Sequence, residues 1–462
     1  MMMRMRRVAL WKCGTLFRAG ESKRRCITTL YSAGDGYLGC LGHGDWADRS
    51  SLEPLVDLEK RPVHIGVVAK AVTIGAGWAH SAAVLPQRGS AVVWGRSLDP
   101  PMSALMLARW SQYSRWAPRF ANALSMALDL GNHISLVPSR VAWPVATRVV
   151  SVYCGGGVTV AVDAKGKAFS LGCNDKGQCG VGEVSHAVAA FRAVVGIDAP
   201  VVSVALGFRH GLACDRKGRV WAWGKNDNGQ VGSSELDGAS QKETLERSTP
   251  TTLTVPRAKA VAAGLSHSAC LTQEGHLFVW GKMRSEKFKV AKTSKVFGEQ
   301  VGPAVLHYDA LEPRQVIFPK NTPPLVAIAA SNFHTAALDA NGDVWAIGPE
   351  KLSRHMVLEP RRLVGTDPSS SGWTIRSGVE NIALFDDTNV YKVVLHAGTC
   401  IAETLIDIPE HKTVRDVAIG WKHSLVLLDD LEKRPEEEEE ETTARDDVDG
   451  EKKNPPPLSG RR

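Results

Sequence analysis

Five histidines recur at matching places in a repeated pattern, which makes them the first candidates for chemistry. Each lies three residues after a glycine or serine and opens a run of small residues. They are His80, His210, His267, His334 and His423. Symmetric copies of one strand position can face a common axis, so a ring of imidazoles could bind a metal ion. Ligand sets rarely recur once per repeat, and a neutral strand histidine usually bonds backbone groups. We therefore interpret these histidines as structural and expect no metal and no cofactor.

Two further patterns imitate parts of nucleotide-binding enzymes. Asp-x-x-Gly sequences begin at Asp163, Asp215 and Asp339, and Gly-Lys pairs occur at Gly224-Lys225 and Gly281-Lys282. A P-loop also needs an earlier glycine and a following Ser or Thr, which these pairs lack. The sequence contains neither H-E-x-x-H nor G-x-S-x-G. We expect a protein that is not an enzyme and that binds no GTP in the P-loop manner.

The histidines belong to a unit that the sequence repeats seven times. Its anchors are Gly77/His80, Gly155/Val158, Gly207/His210, Gly264/His267, Ser331/His334, Ser377/Glu380 and Gly420/His423. A short apolar strand precedes each anchor, and most anchors are followed by a turn and a second strand. Trp-Gly ends the second strand at Trp94, Trp223 and Trp280. We assign the repeated glycines, histidines and tryptophans a structural role.

The physics of one unit predicts the fold. An aspartate at the turn start can bond backbone amides, and a glycine three residues later accepts the positive φ that closes a hairpin. A small four-stranded sheet has two faces that it cannot cover alone, so such units pack radially around an axis. The sequence therefore predicts an all-β, seven-bladed β-propeller with helical and loop insertions. The Trp-Gly rings are expected between neighbouring sheets.

The two ends of the chain are expected to complete one blade. The last copy, residues 414–430, stops after its histidine strand. Residues 29–45 supply a strand ending in Ala33-Gly34 and a Gly-rich loop like those at 171–182 and 223–232. Pairing the terminal strands would close the ring and remove two exposed sheet edges.

Four linked motifs, G-x-x-H-[ST]-x-A, D-x-x-G, Trp-Gly and N-D-x-G-Q-x-G, resemble those of the regulator of chromosome condensation repeat proteins, which are seven-bladed propellers. The resemblance covers about residues 31–428. Val158 and Glu380 depart from the pattern, and the sixth unit, roughly 352–408, keeps little of it. The resemblance implies either an exchange factor for an organellar GTPase or a helper in mitochondrial ribosome assembly.

Charge and composition divide the chain into three parts. Residues 1–26 carry a net charge of +7, residues 432–462 carry −4, and +4 remains for the propeller at 27–431. The first segment can form a basic amphipathic helix and is predicted to be a mitochondrial targeting presequence. The alternative is a disordered basic tail of a nuclear or cytoplasmic protein. The acidic segment is predicted to be a disordered tail.

Cysteine spacing and hydropathy argue against a zinc site, a secreted disulfide framework and a membrane helix. The nine cysteines contain no C-x-x-C pair, so neither a zinc site nor a secreted disulfide framework is indicated. No apolar run reaches the roughly 18–20 residues that a membrane helix needs.

Partner binding is expected in the insertions, placed at about 96–146, 233–257 and 282–324, because loops carry recognition on propellers. The first insertion crowds cationic and aromatic residues suited to a protein hot spot or to stacking on single-stranded RNA. They are Arg109, Trp110, Arg115, Trp116 and Arg119. The same rings could instead pack onto the propeller itself.

The third insertion carries a basic cluster for phosphates or an acidic partner. Its residues are Lys282, Arg284, Lys287, Lys289, Lys292 and Lys295. A merely solvated loop is the alternative. Expected partners are an organellar GTPase or another protein, or mitochondrial rRNA or a ribosomal particle, and no DNA. A pure scaffold is the remaining possibility.

Overall fold

The computed structural model describes residues 28–56, 73–85, 89–96, 134–232, 246–283, 309–349, 356–363, 372–396 and 399–430. These residues form seven antiparallel four-stranded sheets, the blades of a ring. A single-turn 3-10 helix, Tyr37–Gly39, is the one helix in these ranges. The prediction of an all-β, seven-bladed propeller is confirmed.

Blades one to three each contain four consecutive strands, ordered from the axis outward. Blade one contains β3 (Ile74–Ala76), β4 (His80–Leu85), β5 (Ser90–Arg96) and β6 (Ile134–Arg140). Blade two contains β7 (Val149–Cys154), β8 (Val158–Asp163), β9 (Ala168–Cys173) and β10 (Ala187–Ala193). Blade three contains β11 (Val201–Leu206), β12 (His210–Asp215), β13 (Val220–Lys225) and β14 (Glu246–Thr252).

Blades four to six follow the same order. Blade four contains β15 (Ala258–Ala263), β16 (His267–Thr272), β17 (Leu277–Lys282) and β18 (Asp309–Gln315). Blade five contains β19 (Leu325–Ala330), β20 (Thr335–Asp339), β21 (Val344–Pro349) and β22 (Met356–Arg362). Blade six contains β23 (Thr374–Arg376), β24 (Ile382–Phe385), β25 (Val390–His396) and β26 (Thr399–Ile406).

Blade seven is built from both ends of the chain. Its strands, from the axis outward, are β27 (Lys412–Ile419), β28 (His423–Asp430), β1 (Thr29–Gly34) and β2 (Arg49–Pro54). Thr29 pairs with Leu428 and Gly34 pairs with His423, without a register shift between them. The predicted pairing of the terminal strands is confirmed. It leaves β1 with a partner on each side.

The Asp-x-x-Gly sequences form the predicted hairpin turns. Asp215 Oδ1 accepts hydrogen bonds from the backbone N–H groups of Lys217 and Arg219, at 2.9 and 3.0 Å. Gly218 has a φ of +82°, a conformation that other residues rarely adopt. The second carboxylate oxygen accepts from Trp221 Nε1 at 3.0 Å. These sequences are therefore turn elements of the sheet.

Apolar side chains from neighbouring blades fill the spaces between them. Between blades two and three, for example, Val160 and Val181 pack in one cluster with Val204 and Trp223. Trp94, Trp223 and Trp280 are each 0% exposed. The rings of the Trp-Gly motif are thus buried in the interfaces, as the sequence predicted.

Two boundaries differ from the sequence interpretation. The ranges 96–146, 233–257 and 282–324 contain the outermost strands β6, β14 and β18. The range 352–408, assigned to the sixth unit, begins with β22, the outermost strand of blade five. Long segments separate β6, β14 and β18 from the strands they pair with, so the sequence shows no hairpin there.

Candidate functional site: the axial face

The seven anchor loops, which connect the first and second strands of each blade, meet at one end of the propeller axis. Neighbouring loops are joined by backbone hydrogen bonds at six of the seven blade interfaces, all except that between blades three and four. The bonds are Trp78 N to Gly155 O at 3.1 Å, Gly156 N to Gly207 O at 3.0 Å, Leu265 N to Asn332 O at 3.1 Å, Asn332 N to Val379 O at 2.7 Å, Val379 N to Ile419 O at 3.2 Å and Trp421 N to Gly77 O at 3.1 Å. We call this end the axial face. Its backbone is held from blade to blade.

The axis itself encloses little space. The cavity between the anchor loops has a volume of about 40 Å³ and is lined in part by Gly155, Gly207, Gly264 and Ser331. A buried water needs about 10–15 Å³ on this measure, so the cavity holds a few water molecules at most. A cofactor or a small substrate does not fit in this axial cavity.

Three aromatic side chains come together on the axial face. Trp78 lies with its ring centroid 4.6 Å from that of Phe208 and 5.0 Å from that of Trp421. Each of the three follows the anchor glycine of its repeat, in blades one, three and seven. We call them the aromatic cluster. Gly156 of blade two has no side chain between Trp78 and Phe208; a Cβ there would lie 2.1 Å from Phe208 O.

Cationic groups lie over the aromatic cluster. Lys422 Nζ is 4.9 Å from the Trp421 ring centroid, and the Arg209 guanidinium is 5.5 Å from that of Phe208. Arg209 also forms an ion pair with Asp175. The Asp175 carboxyl is partly buried, which raises its pKa, but hydrogen bonds from Gln178 and Arg209 outweigh burial and lower the pKa overall. Partly exposed aromatic rings beside an arginine are typical of protein-binding hot spots.

Behind the face, His210, His267 and His423 each contact a hydroxyl of the next blade, an arrangement that we call the latch. His210 Nε2 lies 2.9 Å from Ser268 Oγ of the next blade. Ser268 Oγ donates to Gln230 O at 2.7 Å, and Trp280 Nε1 donates to the same carbonyl at 3.0 Å. The Gly-rich loop of blade three is therefore fixed to blade four by a hydroxyl and an indole.

The latch recurs at the closure of the ring, with the same geometry. His423 Nε2 lies 3.0 Å from Ser81 Oγ, and Ser81 Oγ donates to Cys40 O at 2.9 Å. Trp94 Nε1 donates to Cys40 O at 2.8 Å. His210 and His423 thus bond a hydroxyl of the following blade and, as the sequence suggested, also a backbone group, that of His267 and His80 respectively.

The interface between blades two and three lacks both the histidine and the hydroxyl of the latch. Val158 replaces the histidine, and Gly211 replaces the serine that would face it. Trp223 Nε1 still donates to the loop carbonyl, Gln178 O, at 2.9 Å. Both latch positions are therefore replaced at this interface, Val158 for the histidine and Gly211 for the serine. Of the latch bonds, only the one from the Trp223 indole remains.

Burial keeps the three latch histidines and His80 neutral. It lowers the pKa of His210 and His423 to about 4. The pKa of His80 and His267 falls to about 3, first through burial and then through neighbouring charged groups. Ser268 and Ser81 each donate their one hydroxyl proton to a loop carbonyl, so their Oγ atoms accept from the Nε2–H of the neutral imidazole.

We expect the propeller to lose stability in mild acid for this reason. The unfolded histidines bind protons below a pH of about 6.5, whereas the folded ones stay neutral until about pH 3 to 4. The unfolded state then holds more protons, so stability is full above pH 6.5 and falls as the pH drops from there. Each histidine changes the free energy of unfolding by up to about 1.4 kcal/mol per pH unit in this window. Urea unfolding at pH 7.5, 6.5, 5.5 and 4.5 measures the loss.

The matched variant copies the natural pair of blades two and three. His210→Val with Ser268→Gly removes one titrating group and leaves all carboxylates in place. We expect a shallower pH dependence between pH 6.5 and 4.5 than in the wild type. Identical pH dependence would show that His210 is protonated in the folded protein.

Most of the predicted partner-binding residues lie outside the described residues. This applies to Arg109, Trp110, Arg115, Trp116, Arg119, Arg284, Lys287, Lys289, Lys292 and Lys295. The ends of both segments are described: Arg96 pairs with Ile134, and Lys282 pairs with Asp309. Gly95 and Gly281 oppose His80 and His267, so both segments leave and re-enter the propeller beside the axial face.

The aromatic cluster was missed in the sequence because its members are far apart in the chain. The available signal was an aromatic residue directly after the anchor glycine in three copies, at Trp78, Phe208 and Trp421. Only the ring brings blades one, three and seven together.

Grouped metal ligands and membrane-crossing helices are not found in the described ranges. Among these residues, no three His, Cys, Asp or Glu side chains are grouped so that they could hold a metal ion. Within the same ranges, no helix has the length and apolarity that a membrane crossing requires. Cys214 and Cys270 are buried, and burial raises the pKa of both thiols to about 12. These two thiols are therefore unreactive packing groups.

Comparisons with known proteins identify the repeat. One model of the regulator of chromosome condensation (RCC1) repeat matches residues 201–230 and 258–285, and a second model of the same repeat matches residues 217–271. The ultraviolet-B receptor UVR8 of Arabidopsis thaliana is 26% identical over 385 residues, 78% of this chain and 75% of UVR8. The mitochondrial RCC1 domain-containing protein RUG3 of the same plant is 25% identical over 292 residues, 62% of this chain and 58% of RUG3.

A solved structure shares the architecture. Prp20p of Saccharomyces cerevisiae, described with its binding properties to Gsp1p and histones, superposes with a TM-score of 0.62 at 15% identity. The superposition covers 91% of this chain and 95% of that chain. At this identity the likeness shows the fold alone.

Proposed function

We propose that this seven-bladed propeller of RCC1 repeats is a non-catalytic interaction platform that regulates nucleotide exchange on an organellar GTPase. The observation that carries the proposal is the aromatic cluster with its two cations on the axial face. Among the described residues, the cavity on the axis has a volume of only about 40 Å³, so the exposed rings and cations favour contact with a protein over binding of a substrate on the axis.

The physical mechanism is differential binding. A protein that binds the nucleotide-free form of a GTPase more tightly than the loaded form weakens nucleotide binding by the same factor. No covalent step is required of the propeller. The axial face is suited to this because its loops are joined by hydrogen bonds, so binding orders little backbone.

The organellar part of the proposal has two supports. Residues 1–26 have the charge and apolar pattern of an import sequence. RUG3, a relative over 62% of this chain, is described as mitochondrial. Import of the full chain into isolated mitochondria, compared with a chain lacking residues 1–26, tests the compartment.

An exchange assay tests the function directly. Purified organellar GTPases are loaded with a fluorescent GDP analogue, and its release is followed with and without the propeller. We expect faster release from one of them, and a loss of at least about tenfold in this stimulation for Trp421→Ala combined with Arg209→Glu, because hot-spot residues each contribute more than about 1.4 kcal/mol.

The control lies on another surface. Val326 of blade five is 48% exposed and outside the axial face, so Val326→Ala should leave the stimulation unchanged. Unchanged release from every GTPase of the panel would contradict the proposal. Equal stimulation by the Trp421/Arg209 variant would contradict the choice of face.

A second candidate is a role in mitochondrial ribosome assembly or RNA binding. The favouring observation is that the segments after Arg96 and Lys282 both begin beside the axial face. Their arginine, lysine and aromatic residues suit a phosphate backbone and unstacked bases. Reversing the charge of Lys287, Lys289 and Lys292 should abolish salt-sensitive association with ribosomal particles. Retained association would rule out this candidate.

A further inference from the structure

The interface between blades six and seven differs from the others whose loops are described. At the interfaces of blades seven and one, two and three, and three and four, a tryptophan of the later blade bonds a Gly-rich loop of the earlier one. The pairs are Trp94 with Cys40 O, Trp223 with Gln178 O and Trp280 with Gln230 O. An indole and a loop backbone together fill the space between those blades.

Blade six has no such loop. Its strands β25 and β26 are joined directly through residues 397 and 398, with Leu395 paired to Cys400 and His396 paired to Thr399. In blade two, by comparison, Cys173 and Ala187 are paired across a connection of 13 residues. Because β25 and β26 are paired up to His396 and Thr399, blade six has no Gly-rich loop to pack between it and blade seven.

Blade seven also lacks the tryptophan. Ala33 is paired with Ser424 in the same way that Trp94 is paired with Ser81. A methyl group thus stands where three other blades place an indole. Both parts of the filling are missing at the same interface.

A cleft occupies the vacated position. Its volume is about 440 Å³, within the roughly 300–1,000 Å³ typical of ligand sites. Its walls include Ala33 and Ser424 of blade seven and Glu380 and Asp407 of blade six. None of the described residues fills it.

The unpaired charges of the cleft are acidic. Arg49 on its wall is bonded to Asp45 and Glu53, and Lys422 is 4.0 Å from Asp35. Glu380 and Asp407 have no ion-pair partner in the part of the chain that the structure describes. Glu380 is exposed at the position where five other repeats have a histidine.

We propose that this cleft binds a segment of a partner protein that inserts an aromatic side chain flanked by basic residues. The ring takes the volume that the indole takes at the other interfaces, and the segment's backbone stands in for the missing loop. The flanking cations meet Glu380 and Asp407, so the charges of cleft and segment are complementary. Trp421 and Lys422 line the cleft and also belong to the aromatic cluster and its cations, so the cleft adjoins the face proposed for the GTPase. Peptide binding to the cleft is measured without a GTPase, so failure of this proposal is distinguishable from failure of the exchange function.

Short peptides test the proposal on the full-length protein. The probe is acetyl-Gly-Lys-Trp-Lys-Gly-amide, measured by saturation-transfer NMR and by displacement of a fluorescent copy. Its controls replace both lysines by glutamate, or the tryptophan by alanine. We expect the probe to bind at least about tenfold more tightly than either control, since losing the ring or the charge attraction removes about 1.4 kcal/mol or more.

Two variants locate the binding. Ala33→Trp restores the plug of the other blades and should weaken probe binding by at least about tenfold. Its melting temperature is measured beside that of the wild type to confirm folding. Glu380→Gln changes an exposed side chain and should weaken binding while reducing its salt dependence, which tests the site even if Ala33→Trp does not fold.

Several outcomes would overturn the proposal. Equal binding of the three peptides, or probe binding that neither variant changes, would do so. Free indole binding as tightly as the peptide would make the cleft a small-molecule site. A dimer that Ala33→Trp dissociates would assign the cleft to a second copy of the chain.

Discussion

Replacing Trp223 by alanine is expected to lower the free energy of unfolding by about 3–5 kcal/mol. The ring is 0% exposed and packs with Val160 and Val181 of the preceding blade. Removing it leaves a cavity between two blades and deletes the bond from Nε1 to Gln178 O. Urea unfolding monitored by circular dichroism measures the loss.

The matched control is Trp421→Ala. Its ring is half-buried on the axial face and contacts Trp78 without lying between two sheets. We expect a clearly smaller loss of stability than for Trp223→Ala, because less apolar area is withdrawn from water. Equal stability of Trp223→Ala and the wild type would show that the ring does not hold the blades together.

Replacing Gly264 by valine is expected to lower the free energy of unfolding by at least about 3 kcal/mol. A Cβ at this position would lie 2.3 Å from Ser331 O of the next blade and 2.2 Å from His267 Cε1. The imidazole folds over the anchor glycine, so the new side chain displaces both the ring and the neighbouring backbone. His267 would then lose its 3.0 Å contact with Thr335 Oγ1.

Gly372→Val provides the control. No atom lies within 4 Å of a Cβ built on Gly372, and its backbone is outside the left-handed region. The melting temperature of this variant should stay close to that of the wild type. A Gly264→Val protein as stable as Gly372→Val would mean that the anchor loops can move apart.

The repeats make the architecture predictable from local patterns. Asp215 and Gly218 define a turn within four residues, and the hairpin they close has the predicted hydrogen bonds. Even the long-range pairing of Thr29 with Leu428 follows, because the last repeat lacks strands that the start of the chain can supply. Outer strands that follow long segments are harder to predict from the sequence. For example, 37 residues separate β5 from β6, so no short turn marks their pairing.

The sites were less predictable than the fold. The sequence pointed to two segments, 109–119 and 282–295, because basic or aromatic residues are concentrated in each of them. The aromatic cluster joins Trp78 to Trp421, and the latch joins His423 to Ser81 across the whole chain. Such contacts arise from the closure of the ring and leave no local pattern to detect.

By itself the sequence determined the repeat, the number of blades and the shared seventh blade. Turns and strand periodicity are local properties, and the same local pattern recurs in most copies of the repeat. Tertiary structure alone decided which surface brings the aromatic rings together and which blade interface is left with a cleft, the one lined by Ala33 and Glu380. The physical reason is that a blade's side chains are completed by the next blade. A residue's role is therefore set by its neighbour across the interface, which the chain reaches only by folding.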